Sequence, residues 1–434
     1  MDIPYTKRTL DNGLQVVVHE DRHIPMAAVS VWYHVGSRHE VVGRTGFAHL
    51  FEHLMFKGSA HHPDGYFEAL QDVGGVVNGS TNTDRTNYWE IVPSQALELA
   101  LWMESDRMGH LVPALSEAKF TTEREVVLNE RRQNYENRPY GLSSLALATA
   151  LYAPDHPYSW PTIGMPADLL ASSVDDARAF FERFYHPANA SITVAGDVDP
   201  DDTFALIERY FGGIPAGPAV THPQRDATLA APVRIVLEDR VELPRLSMAW
   251  HTPAMFHDDD AAMDIAADVL ANGKTSRLYR ALVYDARLAA DVAAVQASRE
   301  MSSVFHVSAT AAPGRTLADL AAAIERILDD LATHGPTTDE LERATARAEA
   351  QFVYRVQSIG GFGGKSDQLN AYNVFTGQPG YIGDDRDRYT RATAASVAAA
   401  VRRWLREAPG VALSVVPRGS RDVALPGSQT VTPA

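Results

Sequence analysis

Cysteine is absent from the 434 residues, which excludes disulfides, iron–sulfur clusters, thiol catalysis and cysteine-ligated zinc. Any metal must be held by His, Asp or Glu. Basic residues are in deficit, with 39 Lys and Arg against 55 Asp and Glu and a net charge of −16. Nucleic acid is therefore not an expected partner, because phosphate binding needs a basic stripe. No run of about 18 apolar residues occurs, so no membrane span is expected. The opening segment MDIPYTKRTLDNGLQVVVHE lacks an apolar leader core. It suits a cytoplasmic protein as it stands; a periplasmic one would have had its leader removed. A hydrophobic content of 45% with 22% charged residues fits a folded globular chain, and its length predicts two or three domains.

Periodicity alternates between strand and helix. LQVVVHE (14–20) and MAAVSVWYHVGS (26–37) read as strands, followed by a helix over 46–55, a helix over 64–72 and a strand over 86–92. A long helix covers 96–108, another starts near Thr122, and SITVAGD (191–197) is a strand leading into DDTFALIERYF. The Pro- and Ala-rich stretch 214–231 reads as a linker. Beyond it the rhythm repeats: RLSMAWHTPAM stands for MAAVSVWYHVG, DAAMDIAADVL for the opening helix, and TLADLAAAIERILDDL for ALELALWMESDRM. The expectation is an α+β chain of two homologous sandwich-like domains, 1–213 and 232–420, each a mostly antiparallel sheet covered by helices, with a tail over 421–434.

The segment TGFAHLFEHLMFKGS (45–59) places three ionisable groups in an apolar helix. Unpartnered burial would cost several kcal/mol each, so a partner is required. His49 and His53 are four residues apart and share a helix face. Glu52 lies beside them. Imidazoles suit zinc, and a nearby carboxylate can take a proton from the attacking water. The order H-x-x-E-H is the inverzincin pattern. A catalytic zinc needs a third protein ligand. FTTEREVVLNERRQNYENRPYG supplies the candidate: Thr122 and Glu125 form a capping box, and Glu123 and Glu130 fall two turns apart on a face shared with Val126 and Val127. On that face Glu130 is the expected ligand, and Glu123, one layer away, the group that orients a histidine or balances charge.

These residues resemble the pitrilysin/insulinase family of zinc peptidases, whose signature is H-x-x-E-H followed after 76 residues by a glutamate ligand; 76 residues separate His53 from Glu130 here. The resemblance extends through TLDNGLQVVVHED, GGVVNGSTNTDRTNYW and HPYSWPTIG. It implies one Zn²⁺ per chain held by His49, His53 and Glu130, with Glu52 as general base and Glu123 as support. It also implies an edge strand that pairs with the substrate backbone, on which Asn78 and Gly79 occupy the matching positions. Active single-chain relatives carry an Arg and a Tyr seven residues apart in the second half; the matching positions here are Val283 and Ala290, with Tyr284 and Arg287 nearby.

The expected protein is thus a zinc endopeptidase acting on short or unfolded peptides, the catalytic subunit of a heterodimer whose homologous, zinc-free partner supplies the missing Arg and Tyr. A homodimer is the other assembly, and a non-catalytic structural subunit the other function. His61 and His62 read as loop residues, and His156 stays outside the site. SIGGFGGKSDQL (358–369) falls one residue short of a P-loop between its first Gly and the Gly-Lys pair and reads as a flexible or hinge loop.

Overall fold

A computed structural model of the chain describes residues 2–63 and 65–432. The first half runs β1 (Thr6–Thr9), β2 (Gln15–Glu20), β3 (Met26–Tyr33), α1 (Phe47–Leu54), α2 (Tyr66–Asp72), β4 (Val76–Thr81), β5 (Thr86–Pro93), α3 (Leu97–Ala114), α4 (Glu117–Arg131), α5 (Ser143–Leu151), α6 (Pro166–Ala171), α7 (Val174–Phe184), β6 (Ala190–Gly196) and α8 (Pro200–Phe211). The second runs β7 (Val233–Asp239), β8 (Arg245–Thr252), α9 (Asp258–Ala271), β9 (Ala289–Ala297), β10 (Ser303–Ala311), α10 (Leu317–His334), α11 (Thr338–Arg355), α12 (Lys365–Thr376), α13 (Ile382–Thr390), α14 (Ala394–Val401), β11 (Gly410–Pro417) and β12 (Gln429–Thr430). The helix expected over 64–72 begins at Tyr66, and Asp64 lies outside the described residues, as do Met1, Pro433 and Ala434 at the ends of the expected segments.

Among the described residues the strands form two six-stranded sheets, ordered β1-β2-β6-β3-β5-β4 and β12-β7-β11-β8-β10-β9. The duplication is strand for strand. β2 runs parallel to β6 as β7 does to β11, and β3 and β8 each lie antiparallel between their counterparts. Only the outer partner differs: β1 is antiparallel to β2, whereas β12 is parallel to β7. The expected tail thus supplies a strand of the second sheet.

β3 is buried almost throughout, which requires cover on both faces. In the first unit, α12 covers one face: the Asp367 carboxylate accepts from Trp32 Nε1 (2.9 Å) and Asn87 Nδ2 (3.0 Å), and Asn370 Nδ2 donates to the Ser30 carbonyl. The other face meets α1 and α3, where Arg107 is buried against Glu104 and Glu90 with its guanidinium over Tyr66 and Tyr88. In the second unit, Ala146, Leu147 and Leu151 of α5 pack on Ile235, Leu413 and Val415, while α9, α10 and α14 cover the opposite face. Each sheet therefore takes a covering helix from the other half of the sequence. The compact units are 1–129, 161–223 and 351–384, and 130–160, 224–350 and 385–434, in place of two contiguous halves.

Three further expectations change. α4 begins at Glu117, because Ser116 already caps it: its hydroxyl accepts the Lys119 N–H (3.2 Å) and its carbonyl the Phe120 N–H (3.0 Å). Thr122 and Glu125 are exposed residues inside the helix. Val126 faces solvent while Val127 is buried. The glycine-rich segment 358–364 is docked rather than free, with Phe362 edge-on to Trp89 (5.3 Å) and Lys365 paired with Asp21.

The linker has no regular structure, yet it is tied down in the first unit. His222 Nδ1 lies 3.0 Å from His39 Nε2 and its ring stacks on His34 at 3.9 Å. His39 is held down to about 2 by burial, reinforced by the charge of Arg38 and by His222 and His34. Its unfolded value is about 6.5, so the folded chain refuses a proton that the unfolded chain accepts. The stability this gives is complete above pH 6.5 and is lost as pH falls toward 2, at up to about 1.4 kcal/mol per pH unit. Urea denaturation of wild type and His39→Asn between pH 6.5 and 4.5 should show a shallower loss in the variant; equal slopes would contradict this account.

Candidate metal centre

α1 is placed by its first turn. Gly46 starts the helix at φ +95°, where a non-glycine residue is strained, and a Cβ there would come within 2.9 Å of the Gly164 Cα. The buried Glu40 carboxylate accepts the N–H groups of Gly46 (2.9 Å) and Ala48 (2.8 Å), satisfying donors that a helix start leaves unpaired. Burial pushes Glu40 up to about 8, opposed by those same hydrogen bonds. Below this turn Phe47, Leu50, Phe51 and Leu54 are buried, and the Phe51 carbonyl accepts from Tyr88 of β5 (3.3 Å). The opposite side of α1 carries His49, Glu52 and His53, all half-buried.

His49 and His53 lie edge-to-face with ring centroids 4.9 Å apart. Glu130 meets them from the last turn of α4, a helix rooted in the first unit. Each of the three offers a ligand atom, and these atoms all lie within 4.8 Å of one another. Two imidazoles and one carboxylate converging with partial exposure form a donor set that fits zinc with a coordination position left open.

Glu123, two turns before Glu130, is 3% exposed and sits behind the histidines. Its Oε2 lies 3.5 Å from His53 Nδ1 and its Oε1 3.1 Å from Lys57 Nζ. Burial raises its carboxyl, but the bonds from His53 and Lys57 outweigh that and leave it below the ordinary range. With Nδ1 turned to Glu123, His53 can present Nε2 to a metal. Glu52 is an electrostatic neighbour of Arg85, whose guanidinium is fixed on the Ser80 carbonyl (2.8 Å) beside the edge strand.

β4 is an edge of its sheet. Asn78 is exposed, and the Gly79 N–H donates to Asn78 Oδ1 (2.8 Å). A Cβ at Gly79 would stand 3.0 Å from Tyr88 and 3.1 Å from Phe56, so glycine lets β4 sit tight against the segment that follows α1. His156 accepts the Tyr158 N–H (3.0 Å) and stacks on Tyr152, a structural arrangement. In the second unit Tyr284 is 76% exposed and Arg287 has φ +50°. Glu40, Lys57 and Arg85 carry no motif of their own; each is found only through the neighbour it touches.

These features coincide with known proteins. A family model described as insulinase, peptidase family M16, matches residues 15–156, and one described as the peptidase M16 inactive domain matches 172–347. The chain belongs to the pitrilysin/insulinase-type M16 peptidase family. It is 34% identical over 361 residues to the zinc protease PqqE of Helicobacter pylori, covering 81% of this chain and 80% of that one. It is 30% identical to an uncharacterized zinc protease of Mycobacterium leprae, covering 77% and 75%. A crystal structure of a protease from Helicobacter pylori superposes with a TM-score of 0.89 at 27% identity, covering 96% of this chain and 100% of that one.

Glu123→Gln keeps the shape of the support behind His53 but removes its charge. Zinc affinity, measured by competition with a chromophoric chelator, should fall about 10–100-fold; an unchanged affinity would leave Glu123 no part in holding the metal.

Proposed function

We propose that the chain is a zinc-dependent endopeptidase acting on short or unfolded peptides. The observation that carries this reading is the convergence of His49, His53 and Glu130 with Glu52 beside them on the same helix. When bound, zinc supplies Lewis acidity that polarises the scissile carbonyl and makes water acidic enough to attack at neutral pH. Glu52 accepts the proton from the attacking water and passes it to the leaving amine. Glu123, itself paired with Lys57, holds His53 in place. β4 offers its outer edge to an extended chain, which would exchange the internal Gly79–Asn78 contact for its own carbonyl. A strand added at an edge must be locally unfolded, which sets the substrate class.

Relatives named zinc proteases support the peptidase reading. The match of 172–347 to a domain described as inactive agrees with a second half that carries no H-x-x-E-H motif. Val283 and Ala290 stand where an Arg and a Tyr are expected, so the catalytic subunit of a two-chain enzyme is the assembly this sequence favours. A homologous zinc-free partner would bring both side chains, and one such donor is worth about 10²–10³ in rate. A non-catalytic subunit built on the peptidase fold is the competing reading, and intact His49, Glu52, His53 and Glu130 weigh against it.

Hydrolysis of an unstructured, internally quenched peptide separates the two readings. Glu52→Gln should lose about 10²–10⁴ in rate while keeping its zinc. Equal rates in the two proteins would end the peptidase proposal. Adding a zinc-free homologous subunit should raise the wild-type rate by orders of magnitude; full activity of the isolated chain would reject the two-chain part alone.

A further inference from the structure

A second group of metal-binding side chains lies at the far end of the loop that leaves α1. Asp106 and His110 are four residues apart on α3 and so share a face, and His61 reaches them from the loop. The three ligand atoms lie within 4.8 Å of one another, as do those of His49, His53 and Glu130. His61 Nδ1 is 2.5 Å from Asp106 Oδ1, and the His61 and His110 rings meet edge-to-face at 4.8 Å.

The backbone around them is fixed before any ion arrives. Pro113 cannot donate to the carbonyl of Gly109, and α3 breaks at His110 (φ −135°, ψ 23°). The His110 carbonyl then accepts the Ala60 N–H (3.0 Å). From the other side Lys119 Nζ donates to the carbonyls of Lys57 and Pro63, both at 2.8 Å. Asp106 is 4% exposed. Its Oδ2 accepts from the Ser59 hydroxyl and the His61 N–H, which leaves Oδ1 turned to the His61 ring. The two histidines, by contrast, are exposed, so an ion could enter from solvent.

We propose that His61, Asp106 and His110 form a second divalent-metal site, suited to zinc or a similar borderline ion, that clasps the loop after the H-x-x-E-H helix onto α3. Two imidazoles and a buried carboxylate are zinc donors. The ligating forms are neutral imidazole and ionised carboxylate, so the ion competes with protons for these side chains and uptake weakens in acid. Hydrogen bonding alone explains the Asp106–His61 pair, but it leaves the approach of His110 to that pair without a purpose.

Counting zinc in the full chain tests this. Metal-free wild type, His49→Ala/His53→Ala, His61→Ala/His110→Ala and the quadruple variant are dialysed against buffered Zn²⁺ and analysed for metal, with near-UV circular dichroism as the check on folding. The expected content is two equivalents in wild type, one in each double variant and none in the quadruple. Cobalt in the His49→Ala/His53→Ala chain should give visible d–d absorption that vanishes with His61 and His110. Wild-type zinc content in the His61→Ala/His110→Ala chain, or none in the His49→Ala/His53→Ala chain, overturns the proposal. One equivalent in wild type that depends on His61 and His110 alone would support it and defeat the zinc assignment on α1 instead.

Discussion

The hydrogen bonds from Gly46 and Ala48 to the Glu40 carboxylate are the constraint on which the rest of the centre depends. They set where α1 begins, and a helix that began one residue later would rotate its side chains by about 100°. His49, Glu52 and His53 would then leave the face that meets α4. The close crossing of Gly46 and Gly164 excludes that slip sterically. The buried apolar side of the helix resists it through Phe47, Leu50, Phe51 and Leu54. A metal centre built from two helices would need both placed to within a fraction of an ångström, and for the candidate centre on α1 that placement comes from the buried Glu40.

The same logic explains why polar groups are tolerated beneath the centre. Arg107 is fully buried, yet it is paired with Glu104 and Glu90 and covered by Tyr66 and Tyr88. Removing one partner of such a cluster leaves an uncompensated charge, so its members are mutually dependent. The cluster ties β5 to α3, and β5 in turn holds α1 through Tyr88 and β4 through its ladder. α1 and the edge strand β4 thus share one rigid support.

Features that repeat at helix or strand spacing were legible in the sequence. H-x-x-E-H needs only a four-residue period, and the duplication shows in the recurrence of one strand and two helices after the linker. Glu123 and Glu130 were found through their seven-residue spacing, although the start of α4 was misplaced because Ser116 is a nearer cap than Thr122. Val126 faces solvent where an inward position is expected, because the buried stripe of α4 runs through Glu123, Val127 and Leu128. Contacts between residues far apart in sequence were not legible. Nothing local marks Asp367 as the partner of Trp32, or Leu147 as part of the cover on β11. The exchange of α5 and α12 between the two halves of the sequence therefore appears only in three dimensions. His61 read as a loop residue for the same reason, with Asp106 and His110 lying 45 and 49 positions away.

The ionisable face of α1 is proposed to hold zinc together with Glu130. Diffraction from crystals soaked in Zn²⁺, recorded on both sides of the zinc absorption edge, tests it most directly. An anomalous peak is expected within about 2.0–2.2 Å of a nitrogen of His49, a nitrogen of His53 and an oxygen of Glu130. Contradiction would be a zinc-replete crystal with no anomalous peak between those three side chains.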